Sequence, residues 1–319
     1  MKLGRKPIGF AAVQSSISTL RRRVRVRRTR LASIMVRLPD GRAIAVEEYG
    51  NPSGPPVFYF HGWPASRLEA GLIPNLAVRL LALDRPGYGR SSPSPGRTLL
   101  DWAADVACVA DRLGLAQFHV VGLSGGGPFA AACAYALPDR VLGVALVCPV
   151  PPATDLARGR GVGHLYRLGR HPRVAHRVFS VIRPLLRRRI LTPGTLVGAS
   201  LPDVDRAVLT RRAMTALGLS WREGLGRSVQ GALADALIYA RPWGFKPADV
   251  LVPVSLWYGS QDTPIPRAAL APYEDIPRLD LNIFHDEGHF SLALNYAEAI
   301  LAKLTTGRPG CVRVAAPAR

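Results

Sequence analysis

The sequence predicts an α/β protein: a mostly parallel β-sheet covered by helices on both faces, with an inserted helical cap. Three observations predict it. Short apolar, β-branched or aromatic runs alternate with helical patterns. Glycine- and proline-rich motifs stand where those runs end. A strand-poor, arginine-rich block separates the two halves of the alternation.

The elements follow in order. Residues 43–49 and 56–60 read as strands, and 80–83 as another that ends at Asp84. Residues 98–113 read as a helix, because Leu99, Trp102, Val106, Val109 and Leu113 recur at three- and four-residue steps. Residues 118–123 form a buried strand that runs straight into Ser124. Residues 128–137 are an Ala-rich helix, with Pro128 tolerated in its first turn. Residues 141–148 are a further strand, stopped by Pro149, Pro151 and Pro152. The block from 153 to 247 is helical and basic, with an amphipathic stretch at 173–191 broken by Pro184. The alternation then resumes as a strand at 252–258, a short helix at 267–273, a strand at 279–284 and a helix at 296–304. The expected organisation is a disordered basic arm (1–33), a core in two pieces (34–152 and 248–305), a cap insert (153–247) and a flexible tail (306–319).

Composition bounds the function. The chain has 319 residues, enough to bury a sizeable core without disulfides or metals. Cys108, Cys133, Cys148 and Cys311 form no CxxC pair and no zinc spacing, so reduced thiols are expected. The net charge of +20 is unevenly placed: residues 1–30 hold ten Lys/Arg and no acid, and residues 151–250 hold 17 basic against six acidic. Only four of the 42 basic residues are lysine, and no nucleic-acid reading motif accompanies them, so no nucleic-acid partner is expected. The N-terminal arm lacks the apolar core of a signal peptide. The longest uncharged run, 113–138, carries Gly122, three consecutive glycines and Pro128, so it is not read as a membrane span. A cytoplasmic location is the expectation.

Gly122-Leu123-Ser124-Gly125-Gly126 fits G-x-S-x-G between a predicted strand and a predicted helix, the context that motif requires. A sharp strand-to-helix turn crowds the backbone, so glycines flank the serine two positions away on each side. The turn lifts the Ser124 hydroxyl above the sheet edge and aims the Gly125 N–H at the same space. No G-K-[ST] or G-x-G-x-x-G is present, so a phosphate cradle is a poor alternative. His61-Gly62-Trp63-Pro64 follows the strand at 56–60, and the Trp63 N–H is the candidate second donor for an oxyanion. His61 and Asp84 are read as loop-holding residues. Asp262 lies in Gly259-Ser260-Gln261-Asp262 after one late strand, and His289 in Glu287-Gly288-His289-Phe290 after the last. The order Ser, Asp, His is the one a nucleophile elbow needs, with His289 as base and Asp262 as its partner. A lone turn aspartate is usually a cap; four strand-end motifs in this order are much harder to explain that way. His164, His171 and His176 lack a carboxylate at ligand spacing, so no metal is expected. Trp221, Trp243 and Phe179 are candidates for lining an apolar pocket.

Over residues 36–304 the chain resembles the α/β-hydrolase superfamily. The resemblance rests on His61 to Pro64, Asp84 to Ser91 (D-R-P-G-Y-G-R-S), Gly122 to Pro128 (G-L-S-G-G-G-P), Gly259 to Asp262 and Gly288 to Phe290. Arg241-Pro242-Trp243-Gly244-Phe245 is similar to the cap exit of such proteins. The resemblance implies a triad of Ser124, Asp262 and His289, and an oxyanion hole from the Trp63 and Gly125 amides. Asp155 is a lower-ranked alternative acid, since some relatives place it there. Serine at the elbow argues against haloalkane dehalogenase and epoxide hydrolase chemistry, and the oxyanion loop is not H-G-G-G. The expected activity is a cofactor-independent serine hydrolase, carboxylesterase-like, acting on a small apolar acyl substrate. The alternatives are a cofactor-free haloperoxidase or perhydrolase on the same fold, and a non-catalytic ligand-binding protein.

Overall fold

The structure, a computed structural model, describes residues 30–74, 76–153, 162–188, 192–197 and 200–306. The basic arm as far as residue 29, Asp155, Cys311 and the tail from residue 307 lie outside the described residues. Eight strands form one sheet: β1 (Arg30–Arg37), β2 (Ala43–Gly50), β3 (Pro56–Phe60), β4 (Arg79–Leu83), β5 (Phe118–Leu123), β6 (Val141–Val147), β7 (Val254–Gly259) and β8 (Leu279–Phe284). Their order is β1-β2-β4-β3-β5-β6-β7-β8. β2 runs antiparallel to both its neighbours, and every other pair is parallel.

The parallel strands are apolar on both sides because both faces are covered. On β3, Phe58 and Phe60 face one core, with Trp102 and Val106 from α1 (Leu99–Arg112) and Ala130 from α2 (Gly127–Ala136). Val57 and Tyr59 face the other, with Leu292 from α9 (His289–Asn295) and Ile300 and Leu301 from α10 (Ala297–Thr306). Thr98 and Asp101 form a reciprocal capping box that starts α1. Between β6 and β7 lies a helical segment: α3 (Val162–Arg170), α4 (Pro172–Arg187), α5 (Pro193–Val197), α6 (Asp203–Val208), α7 (Arg211–Gly226) and α8 (Gln230–Tyr239).

Several elements differ from the sequence expectation. β1 begins inside the stretch read as the arm. Its signal is a two-residue alternation, with Val36 buried and Ser33, Met35 and Arg37 exposed, hidden behind a run of arginines. The amphipathic segment is not broken at Pro184, and α4 continues to Arg187. Only the last turn follows that proline, so little of the helix lies beyond the hydrogen bond it removes. Residues Arg267–Asp275 wind as 3₁₀ turns, with Pro272 inside them. No helix among the described residues is long and apolar enough to cross a membrane.

Candidate active site

β5 delivers Ser124 to a turn that the backbone tolerates only with glycines around it. Ser124 has φ of +50°, a left-handed conformation that a non-glycine residue seldom adopts. A Cβ on Gly122 would meet Gly126 O at 2.6 Å, and one on Gly126 would meet Phe60 O at 2.1 Å. No side chain fits at either place, which is the physical content of the G-x-S-x-G spacing. The serine is fixed from behind by the Val150 N–H, which donates to Ser124 O (2.9 Å).

Beside it lie the two candidate oxyanion donors. The Trp63 N is 3.0 Å from where a Cβ on Gly125 would sit. Among the turn and loop hydrogen bonds of the described residues, neither the Trp63 nor the Gly125 N–H donates. The loop carrying Trp63 is held from several sides. His61 is buried with Nδ1 against Gly62 O (2.8 Å) and Nε2 against the Arg85 N–H (3.4 Å). Burial and the Arg85 charge hold the His61 imidazole well below its ordinary pKa, so it is neutral and bridges the loop. Asp84 accepts from the Arg67 backbone (2.8 Å), the Arg67 side chain (2.6 Å) and the Arg90 N–H (3.0 Å). The Trp63 indole donates to Ala232 O on α8 (3.0 Å) and packs edge-on against Phe179 of α4.

β7 and β8 bring Asp262 and His289 together. His289 Nδ1 lies 2.7 Å from Asp262 Oδ2, and both residues are buried. Asp262 Oδ1 accepts the Ile265 N–H (2.8 Å), which fixes the carboxylate's orientation. With Nδ1–H donated to Asp262, Nε2 is left as the acceptor. Ser124 and His289 line the same cavity. Among the described residues no hydrogen bond joins the Ser124 hydroxyl to the imidazole. In an empty site such a bond is often long and tightens only around substrate.

Sequence reasoning did not single out three carboxylates here. Asp205, on α6, is fully buried and accepts the N–H groups of His289 (3.0 Å), Phe290 (2.8 Å) and Ser291 (2.8 Å). It therefore clamps the backbone of the candidate base from the helical segment. Glu69 Oε2 accepts the Gly62 N–H (2.7 Å) and the Tyr59 hydroxyl (3.0 Å). Burial raises the Glu69 pKa against those bonds. Asp235, on α8, collects Arg85, Arg97 and Tyr88, while Tyr239 beside it donates to Gly125 O (2.8 Å). Asp205 and Asp235 lie far along the chain from their partners. Glu69 was the more readable, as an acid five residues past Pro64 in the oxyanion loop.

The imidazole's environment sets a pH dependence. Burial pushes the His289 pKa down, but the charge and hydrogen bond of Asp262, with Asp205 and Glu69 nearby, raise it above the 6.5 of a free imidazole. A base must be neutral, so activity should rise with pH along a limb whose midpoint exceeds 6.5. A kcat/KM profile from pH 5 to 9 checks it; a midpoint at or below about 6 contradicts it.

The cavity is narrow, about 80 Å³, behind a wider mouth open to solvent. Its wall is mostly apolar, with Leu123, Val147, Leu217, Trp221 and Phe290 beside Ser124 and His289. Trp221 thus lines it. Trp243 instead packs in the core against Tyr273. Cys148 Sγ, an Asp262 oxygen and a His289 nitrogen lie within 4.8 Å of one another. Burial, with Asp262 beside it, pushes the Cys148 thiol well above its ordinary range, which disfavours a free thiolate there.

Comparison with known proteins agrees with this architecture. The family model of the alpha/beta hydrolase fold matches residues 55–296. The chain is 38% identical over 119 residues to a non-heme chloroperoxidase of Streptomyces lividans, covering 35% of this chain and 43% of that protein. It is 34% identical over 130 residues to a proline iminopeptidase of Neisseria gonorrhoeae, covering 38% and 42%. These matches span less than half the length of either relative. An esterase from Exiguobacterium antarcticum superposes with a TM-score of 0.63 at 19% identity, over 86% of this chain and 99% of that one. With the family model matched from β3 to the end of α9, the chain belongs to the α/β-hydrolase fold family.

Proposed function

We propose that this hydrolase cleaves esters or related acyl bonds through Ser124, His289 and Asp262. The single observation that carries the reading is the buried 2.7 Å His289–Asp262 pair opening on the same cavity as a serine held in a left-handed turn. The Ser124 hydroxyl attacks the substrate carbonyl as His289 Nε2 takes its proton. Asp262 holds the productive tautomer and stabilises the imidazolium. The Trp63 and Gly125 N–H groups receive the oxyanion; one such donor is typically worth about 10²–10³ in rate. His289 returns the proton to the leaving group, then activates water to release the acyl group from Ser124. The segment from α3 to α8 acts as the cap, and its Trp221 and Leu217 help close the apolar wall. No cofactor is needed for these steps.

A second reading rests on the similarity to the chloroperoxidase. With the same residues, hydrogen peroxide in place of water would attack the acyl-enzyme and release a peracid. A panel of 4-nitrophenyl esters, with and without peroxide and bromide, tests both. The hydrolase reading expects ester turnover lowered by several orders of magnitude in Ser124→Ala. Bromination that depends on acetate and peroxide, without ester turnover, would favour the second reading.

A further inference from the structure

Glu69 is the one carboxyl among the described residues lining the cavity, and it is only 6% exposed. Its two hydrogen bonds, from Gly62 and Tyr59, both go to Oε2. Nothing among the described residues donates to Oε1. Glu69 and Ser124 flank one spot: Oε1, Oε2 and the Ser124 Cβ all lie within 3.7 Å of the point where a Cβ on Gly62 would sit.

Holding the oxyanion loop accounts for Oε2 alone. An amide oxygen would accept the same two bonds without burying a charge. A buried carboxylate lacking a counter-charge is costly, and the described residues supply none in contact. Arg85 is committed to Asp235 and to the His61 carbonyl. His289 is committed to Asp262. Oε1 is thus left to water or to a group that arrives in the cavity.

We propose that Glu69 Oε1 receives a cationic amino group of the substrate, so that the acyl compounds turned over carry a free amine close to the scissile carbonyl. Aminoacyl esters and amides with an unblocked amino end have that chemistry. This deepens the hydrolase reading and rests on it for the position of the scissile bond. The ammonium satisfies the bare oxygen, and the apolar wall takes the side chain. An uncharged analogue of the same shape leaves the carboxyl unpaired. Charge-assisted hydrogen bonds of this kind are worth about 10- to 100-fold in binding.

Glu69→Gln separates this role from loop holding. The amide oxygen can still accept from Gly62 and Tyr59, while an NH₂ donor replaces the bare acceptor facing the cavity. Leucine methyl ester and its des-amino analogue, methyl 4-methylpentanoate, are compared by kcat/KM. The expected result is a preference for the amino ester of about tenfold or more in the wild type, and a fall of about 10- to 100-fold in that ratio in Glu69→Gln. An unchanged ratio, with both substrates falling together, overturns the proposal in favour of loop holding alone. So does a wild type with no preference. A second arm needs no turnover. In Ser124→Ala, 3-methylbutylamine and 3-methylbutanol are titrated by the fluorescence of Trp63 and Trp221, which line the cavity. Tighter binding of the amine, lost in Ser124→Ala/Glu69→Gln, supports the site; equal binding overturns it. If neither ester is hydrolysed, the hydrolase reading fails while the titration still decides the amine site.

Discussion

Asp262→Asn is expected to lower kcat by about 10⁴, the size of effect seen when a serine triad's imidazole is held in the wrong tautomer. The reason is local. Asp262 Oδ1 accepts the Ile265 N–H and Oδ2 faces His289 Nδ1. An asparagine that keeps the Ile265 bond must turn its NH₂ toward Nδ1. Nδ1 then becomes the acceptor and the proton moves to Nε2. The nitrogen meant to take the Ser124 proton would now carry one of its own. Removing the Asp262 charge also takes away part of what raises the His289 pKa, so the acid limb should move to lower pH. Steady-state kinetics across pH 5–9 read both effects. A loss under about tenfold would mean that Asp262 does not serve His289 in this way.

Asp235→Ala is expected to cost about 3–5 kcal/mol of stability, the penalty of leaving a buried charge unpaired. The arginines that would be stranded are among the least exposed in the protein. Arg85 and Arg97 pair with Asp235, with side-chain exposures of 0% and 1%. The same carboxylate accepts the Tyr88 hydroxyl (2.8 Å). Asp235 lies on α8, while Arg85, Tyr88 and Arg97 lie between β4 and α1, so this knot ties the helical segment to the sheet. Tyr239, one turn on, donates to Gly125 O, so slackening α8 should loosen the elbow as well. Urea unfolding measures the cost. A loss below about 1 kcal/mol would show that the two guanidinium groups find water or other partners.

The parts of the fold that could be read from sequence were those with a local signal. The strands Pro56–Phe60 and Phe118–Leu123 are short, largely apolar runs with abrupt ends, and Leu279–Phe284 alternates apolar with polar residues before ending as abruptly. α1 carried a clear three-to-four-residue repeat and a capping box. β1 was concealed because its alternation starts among arginines. α9 was passed over because its seven residues, beginning at His289 itself, are too few to establish a period. Ser124, Asp262 and His289 could be singled out because each follows the end of a strand, where a turn motif marks it. Asp205 and Asp235 could not, because their partners are 84 and 150 residues away in the chain. Glu69 has a near neighbour in Gly62, but its meaning depends on an oxygen left without a donor, which is visible only in three dimensions.

Activation of the Ser124 hydroxyl by His289 underlies the proposed chemistry. Covalent labelling with a fluorophosphonate, located by peptide mass spectrometry, tests it most directly, because the reagent reports serine activation whatever the natural substrate. A single adduct on Ser124 is expected, absent in Ser124→Ala and strongly slowed in His289→Ala. An adduct on another residue, or undiminished labelling of either variant, would contradict it.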